Sequence, residues 1–261
     1  MAKINLDKYY TPRDIALYCI KKTKTLLPNV TEWLEPSAGN GNFSLQLENC
    51  LAYDIEPEDV SIIQQDFLTL KLPYKEGRCV IGNPPFGTRN TLSVKFYKKA
   101  VTLGDSIAFI LPISQLDNNQ QMFEFDLLFS EALPDIIYSG KKVNTCFNIY
   151  KKPLSGINIK PKNWKLQDVI ITEYRRGGNY PIPVDFDFGI CTFGSVGKEV
   201  QFVGEFCQEN YFKIVNEEYK KAILSLLKAT DWKNLYPATT TNKIQTWKLY
   251  KYLKEQIPSL K

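Results

Sequence analysis

The chain has 261 residues and a mass of 30.0 kDa, enough for one large domain or a domain with a smaller appendage. Apolar residues at 44% and charged residues at 23% argue against wholesale disorder, no stretch approaches the roughly 20 apolar residues that span a bilayer, and the start MAKINLDKYYTPRD lacks the apolar core of a signal peptide. The expectation is a soluble, cytoplasmic or otherwise intracellular protein with no membrane partner, whose net charge of +5 permits an acidic partner without requiring one.

Residues 11–26 open with Thr-Pro and carry Ile15, Ala16, Cys19, Ile20 and Thr23 at helical spacing, which predicts a helix capped by Thr11 and Pro12. Residues 31–35 read as a short strand ending at Pro36, followed by the glycine-rich turn SAGNGNF and then a helix. Residues 50–55, 61–64 and 79–81 read as further strands, the last stopping at Gly82-Asn83-Pro84-Pro85. Residues 92–102 have helical periodicity, and 106–111 form a continuous apolar strand. Such alternation predicts a mostly parallel sheet covered by helices. Residues 114–133 read largely as helix, and 135–139 and 145–150 as strands able to form a hairpin at the sheet edge. The Lys- and Pro-rich stretch 153–163 marks a boundary, giving expected domains of 1–153 and 154–261. Beyond it, 168–174 and 186–193 read as strands around the loop RRGGNYPIP, and 211–229 and 241–257 as helices.

The six cysteines, Cys19, Cys50, Cys79, Cys146, Cys191 and Cys207, include no CxxC pair, so no zinc knuckle or thioredoxin-like site is indicated and no metal is expected. There is no histidine, so any catalysis works without imidazole. Two loops carry the candidate chemistry. Glu35-Pro36-Ser37-Ala38-Gly39-Asn40-Gly41-Asn42-Phe43 has glycines that allow close backbone approach to a ligand, as in sites for adenosine-containing cofactors, though a plain structural turn also fits. It lacks the third glycine of a dinucleotide fingerprint and the Gly-Lys-Ser/Thr of a phosphate cradle. In Asn83-Pro84-Pro85-Phe86-Gly87, two prolines hold the Asn83 amide and the neighbouring carbonyl rigidly, with Phe86 beside them.

In order, these segments resemble the S-adenosylmethionine-dependent amino-methyltransferases. The specific likeness is to the gamma-type DNA adenine-N6 methyltransferases of restriction-modification systems and their viral relatives, which carry the NPPF motif. The resemblance runs from Thr11 to about Lys152. It implies an α/β, Rossmann-like methyltransferase fold with a mostly parallel seven-stranded sheet and an edge hairpin, followed by a small C-terminal α+β appendage. It also implies S-adenosylmethionine as cofactor, with Thr11 and Pro12 against its methionine part and Glu35, Pro36, Ser37, Ala38, Gly39 and Gly41 in the cofactor loop. Within that loop Glu35 lies near the amino group. Asp54, or alternatively Glu56, receives the ribose hydroxyls. Asp66 accepts from the adenine amino group, and Phe67 packs on its ring. Asn83, Pro84 and Phe86 are the implied catalytic residues, Asn83 also touching the cofactor, and Lys141, Lys142 and Asn144 lie where family members meet the flipped base.

An exocyclic adenine amine is a poor nucleophile because its lone pair is delocalised, so its methylation needs proton acceptors and alignment more than a strong base. Asn83 Oδ1 and the Pro84 carbonyl are suitable acceptors, and Phe86 can stack on the base. The implied activity is transfer of a methyl group to adenine N6 in DNA. The same motif serves RNA adenine methylation and, more distantly, protein glutamine methylation, and a catalytically silent nucleic-acid-binding subunit is an alternative of another class.

Only about 100 residues follow the catalytic half, fewer than a full target-recognition domain, so specificity is either relaxed or supplied by a partner subunit. Arg175 and Arg176, with Lys160, Lys162 and Lys165 nearby, suit phosphate contact or a solvated loop. Trp232, Tyr236, Trp247, Tyr250 and Tyr252 alternate with lysines, which suits stacking on unpaired bases or helix packing.

Overall fold

The structure, a computed structural model, describes residues 10–134, 136–138, 141–160, 165–237 and 243–261, with the backbone alone at 136–138, 141 and 142. The chain divides into two compact units, Met1–Lys160 and Pro161–Lys261.

The first unit opens with helix α1 (Arg13–Leu26), whose N-cap is Pro12 rather than Thr11. Strands β1 (Glu32–Glu35), β2 (Cys50–Asp54), β3 (Ile63–Gln64) and β4 (Arg78–Gly82) follow, then helix α2 (Thr91–Val101) and β5 (Ser106–Pro112). Next come β6 (Asp126–Ala132), β7 (Ile136–Tyr138), β8 (Lys141–Val143) and β9 (Thr145–Lys151). The main sheet has seven strands in the order β3-β2-β1-β4-β5-β9-β6. Strands β1 to β5 pair in parallel, β9 runs antiparallel to β5, and β6 antiparallel to β9. This is the expected α/β architecture of a Rossmann-like methyltransferase sheet with an antiparallel edge. Chain direction across the sheet reverses between β1 and β4, and such a switch point opens a crevice at the carboxyl ends of the strands.

Alternation along the strands divides the core. Leu34, Val80, Ile107 and Phe109 face Phe96, Tyr97 and Ala100 of α2, whereas Trp33, Cys79, Ile81, Ala108 and Ile110 face Ala16, Cys19 and Ile20 of α1. Beneath this layer Arg78, 3% exposed, reaches Glu32 from Nε at 2.5 Å and the carbonyls of Pro73 and Leu103 from Nη1.

Three expectations for this unit fail. Residues 114–133 are not a helix: after one 3₁₀ turn at Ile113–Gln115, Asp117 takes φ +48° and residues 126–132 become β6. Asp117-Asn118-Asn119 are poor helix formers, and β9 offers β6 an open edge to pair with, so tertiary pairing overrides the periodicity. The edge hairpin partners are therefore β6 and β9, while β7 pairs with β8 in a separate two-stranded ribbon; Asp135 and Ser139 lie outside the described residues. The helix expected after the glycine-rich turn is one 3₁₀ turn, Ser44–Gln46, because β2 begins only nine residues past Gly41.

In the second unit β10 (Val169–Arg175), β11 (Phe188–Cys191) and β12 (Gln208–Ile214) form an antiparallel sheet in the order β10-β12-β11. Helices α3 (Lys220–Ala229), α4 (Trp232–Leu235) and α5 (Thr246–Gln256) share its core, in which Phe188 and Phe212 stack at 5.0 Å. Residues 208–214 were expected to be partly helical. They form the central strand, with Gln208, Asn210, Phe212 and Ile214 on one face and a neighbour pairing on each side. Helix α5 begins at Thr246, and residues 241 and 242 lie outside the described residues. Trp232, Tyr236, Tyr250 and Tyr252 are buried in this core, so packing is their role, while Trp247 is half-buried. The Tyr250 hydroxyl, for instance, accepts the Ile171 N–H at 2.8 Å. No described helix is long and apolar enough to cross a membrane.

Candidate active site

The carboxyl ends of β1 to β4 put side chains of one kind together. Glu35 ends β1, Asp54 ends β2, Asp66 follows β3 by two residues, and Asn83 follows β4 directly. All four line one cavity of about 400 Å³, together with Thr11, Pro36, Ser37, Ala38, Gly39, Phe67, Pro84 and Phe86. Two expected residues stand off its wall. Pro12 serves α1, its carbonyl accepting the Ala16 N–H at 3.0 Å. Gly41 shapes the turn, at φ +80°, where a Cβ would come within 2.8 Å of Leu45. Of the two candidates after β2, Asp54 lines the cavity and Glu56 does not.

Hydrogen bonds hold the two loops in register. Asp54 accepts the Gly39 N–H on Oδ2 and the Glu56 N–H on Oδ1, each at 2.8 Å, so one carboxylate braces the turn and the end of β2. Each oxygen keeps capacity to accept from a ligand hydroxyl. Asp66 Oδ1 receives the Leu68 N–H at 2.9 Å, and Phe67 stacks near Phe96 of α2 with centroids 5.1 Å apart. Asn83 donates from Nδ2 to Thr11 Oγ1 at 3.1 Å, and its carbonyl accepts from Ser37 Oγ at 3.2 Å. Beyond Phe86 the backbone turns through Gly87, Arg89 and Asn90 at positive φ. The Phe86 carbonyl then receives the Leu92 N–H at 3.2 Å, tying the motif to the start of α2.

Glu35 is 2% exposed and accepts the Ser44 N–H on Oε2 at 2.8 Å. Burial pushes its carboxyl up to about 8, against the lowering effect of the hydrogen bonds from Ser44 and with an added push from the charge on Asp54.

Sequence reasoning missed several wall residues, among them Tyr10, Asn42, Leu92 and Phe96. Asn42 donates to the Thr11 carbonyl at 2.8 Å, and Tyr10 donates through its hydroxyl to Glu58. Leu92 and Phe96 could have been found from their i, i+4 spacing on one face of α2. Tyr10 and Asn42 had no such signal beyond lying beside the two motifs.

Of the residues expected to meet nucleic acid, Asn144 is not among the described residues of this cavity's wall. Lys141 and Lys142 fall in β8, of which only the backbone is described there, and the Asn144 carbonyl accepts the Ile113 N–H at 3.1 Å. In the second unit Arg175 is paired with Glu173 at 2.5 Å and lies over the Tyr180 ring at 5.4 Å. Arg176 is exposed, with Nη1 3.5 Å from the Gly204 carbonyl. Lys162 lies outside the described residues.

No protein-family model matches this chain, and no curated protein matches it. Among solved structures it is similar to a protein provisionally assigned as an RNA methyltransferase from Pyrococcus horikoshii, at 18% identity and TM-score 0.48 over 58% of this chain and 90% of that one. It is also similar to the 23S rRNA methyltransferase ErmE, at 15% identity and TM-score 0.43 over 56% of this chain and 70% of that one. The M protein of the type I restriction enzyme EcoKI aligns at 16% identity and TM-score 0.43 over 60% of this chain and 47% of that one. The fold assignment rests on the strand order itself.

Proposed function

We propose that this protein binds S-adenosylmethionine at the switch point and transfers its methyl group to the exocyclic N6 of adenine in nucleic acid, with DNA the first substrate. The observation that carries the reading is that Glu35, Asp54, Asp66 and the Asn83-Pro84-Pro85-Phe86 loop line a single cavity.

The donor set fits that ligand better than a dinucleotide. Diphosphates in such folds sit on unspent backbone N–H groups at a helix start. Here the turn after β1 has no α-helix, and its Gly39, Gly41 and Ser44 N–H groups go to Asp54, the Ala38 carbonyl and Glu35. The three carboxyl side chains on the wall include Asp54 and Asp66, which would repel phosphate. They suit an ammonium, ribose hydroxyls and an adenine amino group, with Phe67 beside the ring.

Bound S-adenosylmethionine supplies an electrophilic methyl group on a sulfonium, which requires no metal and no strong base. The protein's part is to hold the target amine in line, with Asn83 Oδ1 and the Pro84 carbonyl accepting its two protons and Phe86 stacked on the base. As the amine would take the methyl carbon and the sulfonium's carbon–sulfur bond would break to leave a neutral thioether, positive charge would grow on the nitrogen, and these two oxygens would stabilise it until one proton left to solvent. Lys141, Lys142, Asn144, Arg175 and Arg176 are the proposed contacts to nucleic acid, Arg176 having the more accessible guanidinium for phosphate. A partner subunit that supplies target specificity is part of the same reading, as is the division into a catalytic region 1–153 and a nucleic-acid-binding region 154–261.

The test is incubation with tritiated S-adenosylmethionine and, in parallel, duplex DNA, single-stranded DNA and structured RNA, followed by digestion and identification of the labelled nucleoside. N6-methyldeoxyadenosine is expected, with loss of about a hundredfold or more in turnover for Asn83→Ala. Label confined to N6-methyladenosine in RNA would move the substrate to RNA, and an Asn83→Ala variant that keeps most of its turnover would refute the assigned mechanism.

A further inference from the structure

Resting on the methyl-transfer reading above, we infer that Thr11 is a positioning residue: its hydroxyl receives the Asn83 side-chain N–H, the pairing in which Asn83 Oδ1 faces the amine to be methylated. An asparagine amide presents nearly the same shape when flipped, but the flip exchanges donor for acceptor. With the NH₂ end toward the target, donor would face donor, and an amide proton would compete for the lone pair that must attack carbon. Only the orientation with Oδ1 leading is productive, and it requires an acceptor behind the amide for Nδ2. Thr11 Oγ1 is that acceptor, at 3.1 Å and from 72 residues away in sequence.

The acceptor is itself fixed. Thr11 is 5% exposed, its carbonyl is held by Asn42 Nδ2 at 2.8 Å, and the next residue caps α1. From the other loop, Ser37 Oγ donates to the Asn83 carbonyl at 3.2 Å. Asn83 is thus held by its side chain to the segment before α1 and by its backbone to the turn after β1. Valine has the shape of threonine without the acceptor, whereas serine keeps it.

Thr11→Val should lower kcat by about 10- to 100-fold at saturating S-adenosylmethionine, the effect of taking the Thr11 acceptor from the Asn83 amide. Thr11→Ser should bring kcat at saturating S-adenosylmethionine back to within about threefold of the unaltered protein. A loss confined to the KM or Kd for S-adenosylmethionine, a loss that serine does not restore, or an unchanged kcat in Thr11→Val would each overturn the inference. A second readout needs no methyl acceptor. In protein labelled with ¹⁵N-asparagine, the Asn83 side-chain amide signals, identified by their absence in Asn83→Asp, should exchange faster with solvent in Thr11→Val than in Thr11→Ser. Equal exchange in the two variants would overturn the bond itself. If the exchange differs but the unaltered protein labels no nucleic acid, the methyl-transfer reading falls and the positioning role falls with it, while the bond stands.

Discussion

Replacing Glu35 by glutamine should stabilise the protein while weakening its hold on S-adenosylmethionine. In the folded protein the buried Glu35 carboxyl keeps its proton up to about 8, whereas an unperturbed glutamate releases it near 4.5. Between those values the folded state holds one proton more than the unfolded state, so this group's contribution to stability falls as the pH rises from 4.5 to 8. Glutamine is neutral throughout and can still accept the Ser44 N–H through its amide oxygen. Glu35→Gln should therefore exceed the unaltered protein by about 1 kcal/mol at pH 5, about 3 kcal/mol at pH 7 and about 4 to 5 kcal/mol above pH 8. Urea unfolding of protein labelled with fluorotryptophan reads this directly by ¹⁹F NMR, because Trp33 is the one tryptophan among residues 1–160. Calorimetry on the same variant above pH 8, where Glu35 is a carboxylate, should show weaker S-adenosylmethionine binding, since an ammonium prefers a carboxylate to an amide. Parallel stability curves for the two proteins from pH 5 to 8.5 would refute the burial argument.

Arg78→Met should cost about 1–3 kcal/mol, because it strips the Pro73 and Leu103 carbonyls of their Nη1 donor and leaves Glu32 with Lys75 as its remaining ion-pair partner. Burial tends to raise Glu32, but hydrogen bonds from Lys75 and Arg78 outweigh it and hold the carboxyl below its usual value. Its stabilisation is therefore present above about pH 4.5 and lost as the pH falls through the lower folded value, and acid titration of the variant, in which Lys75 alone is left to hold Glu32 down, should show a smaller limb. Gly87→Ala places a Cβ 2.8 Å from the Leu92 Cβ at φ +66°, which should disturb the exit of the Phe86 loop. Turnover should fall more than S-adenosylmethionine affinity, as the ratio of kcat to Kd would show. NADH and ATP at millimolar concentration should not displace S-adenosylmethionine in a competition titration; displacement by either would refute the charge argument for the cavity.

Where one physical signal dominates locally, sequence and structure agree. The continuous apolar run 106–111 and the buried tetrapeptide Glu32–Glu35 are strands because period-two side chains meet a helix on each face. Residues 126–132 and 208–214 carry no such decisive local signal. Residues 126–132 became a strand because β9 offered an edge, and 208–214 because β10 and β11 pair with them on either side; a contact between distant strands is not written in the periodicity of either. The missing helix after the glycine turn has a plainer cause, since nine residues cannot hold a three-turn helix and also descend to the start of β2.

The site was legible to the extent that its residues sit in short motifs. Glu35, Asp54, Asp66 and Asn83 each end or follow a strand, and parallel strands necessarily bring such positions to one edge of the sheet. What the motifs could not convey is how their members constrain one another. The turn after β1 lacks the helix that would ordinarily stiffen it, and side chains take over that task. Glu35 holds the Ser44 N–H, Asp54 holds Gly39, and Asn42 holds the Thr11 carbonyl. The carboxyl groups facing the cavity are therefore also the braces of its loop. A ligand that draws on Glu35 or Asp54 pulls on the same bonds that keep the turn in place, so binding and loop order should be coupled at this edge of the sheet.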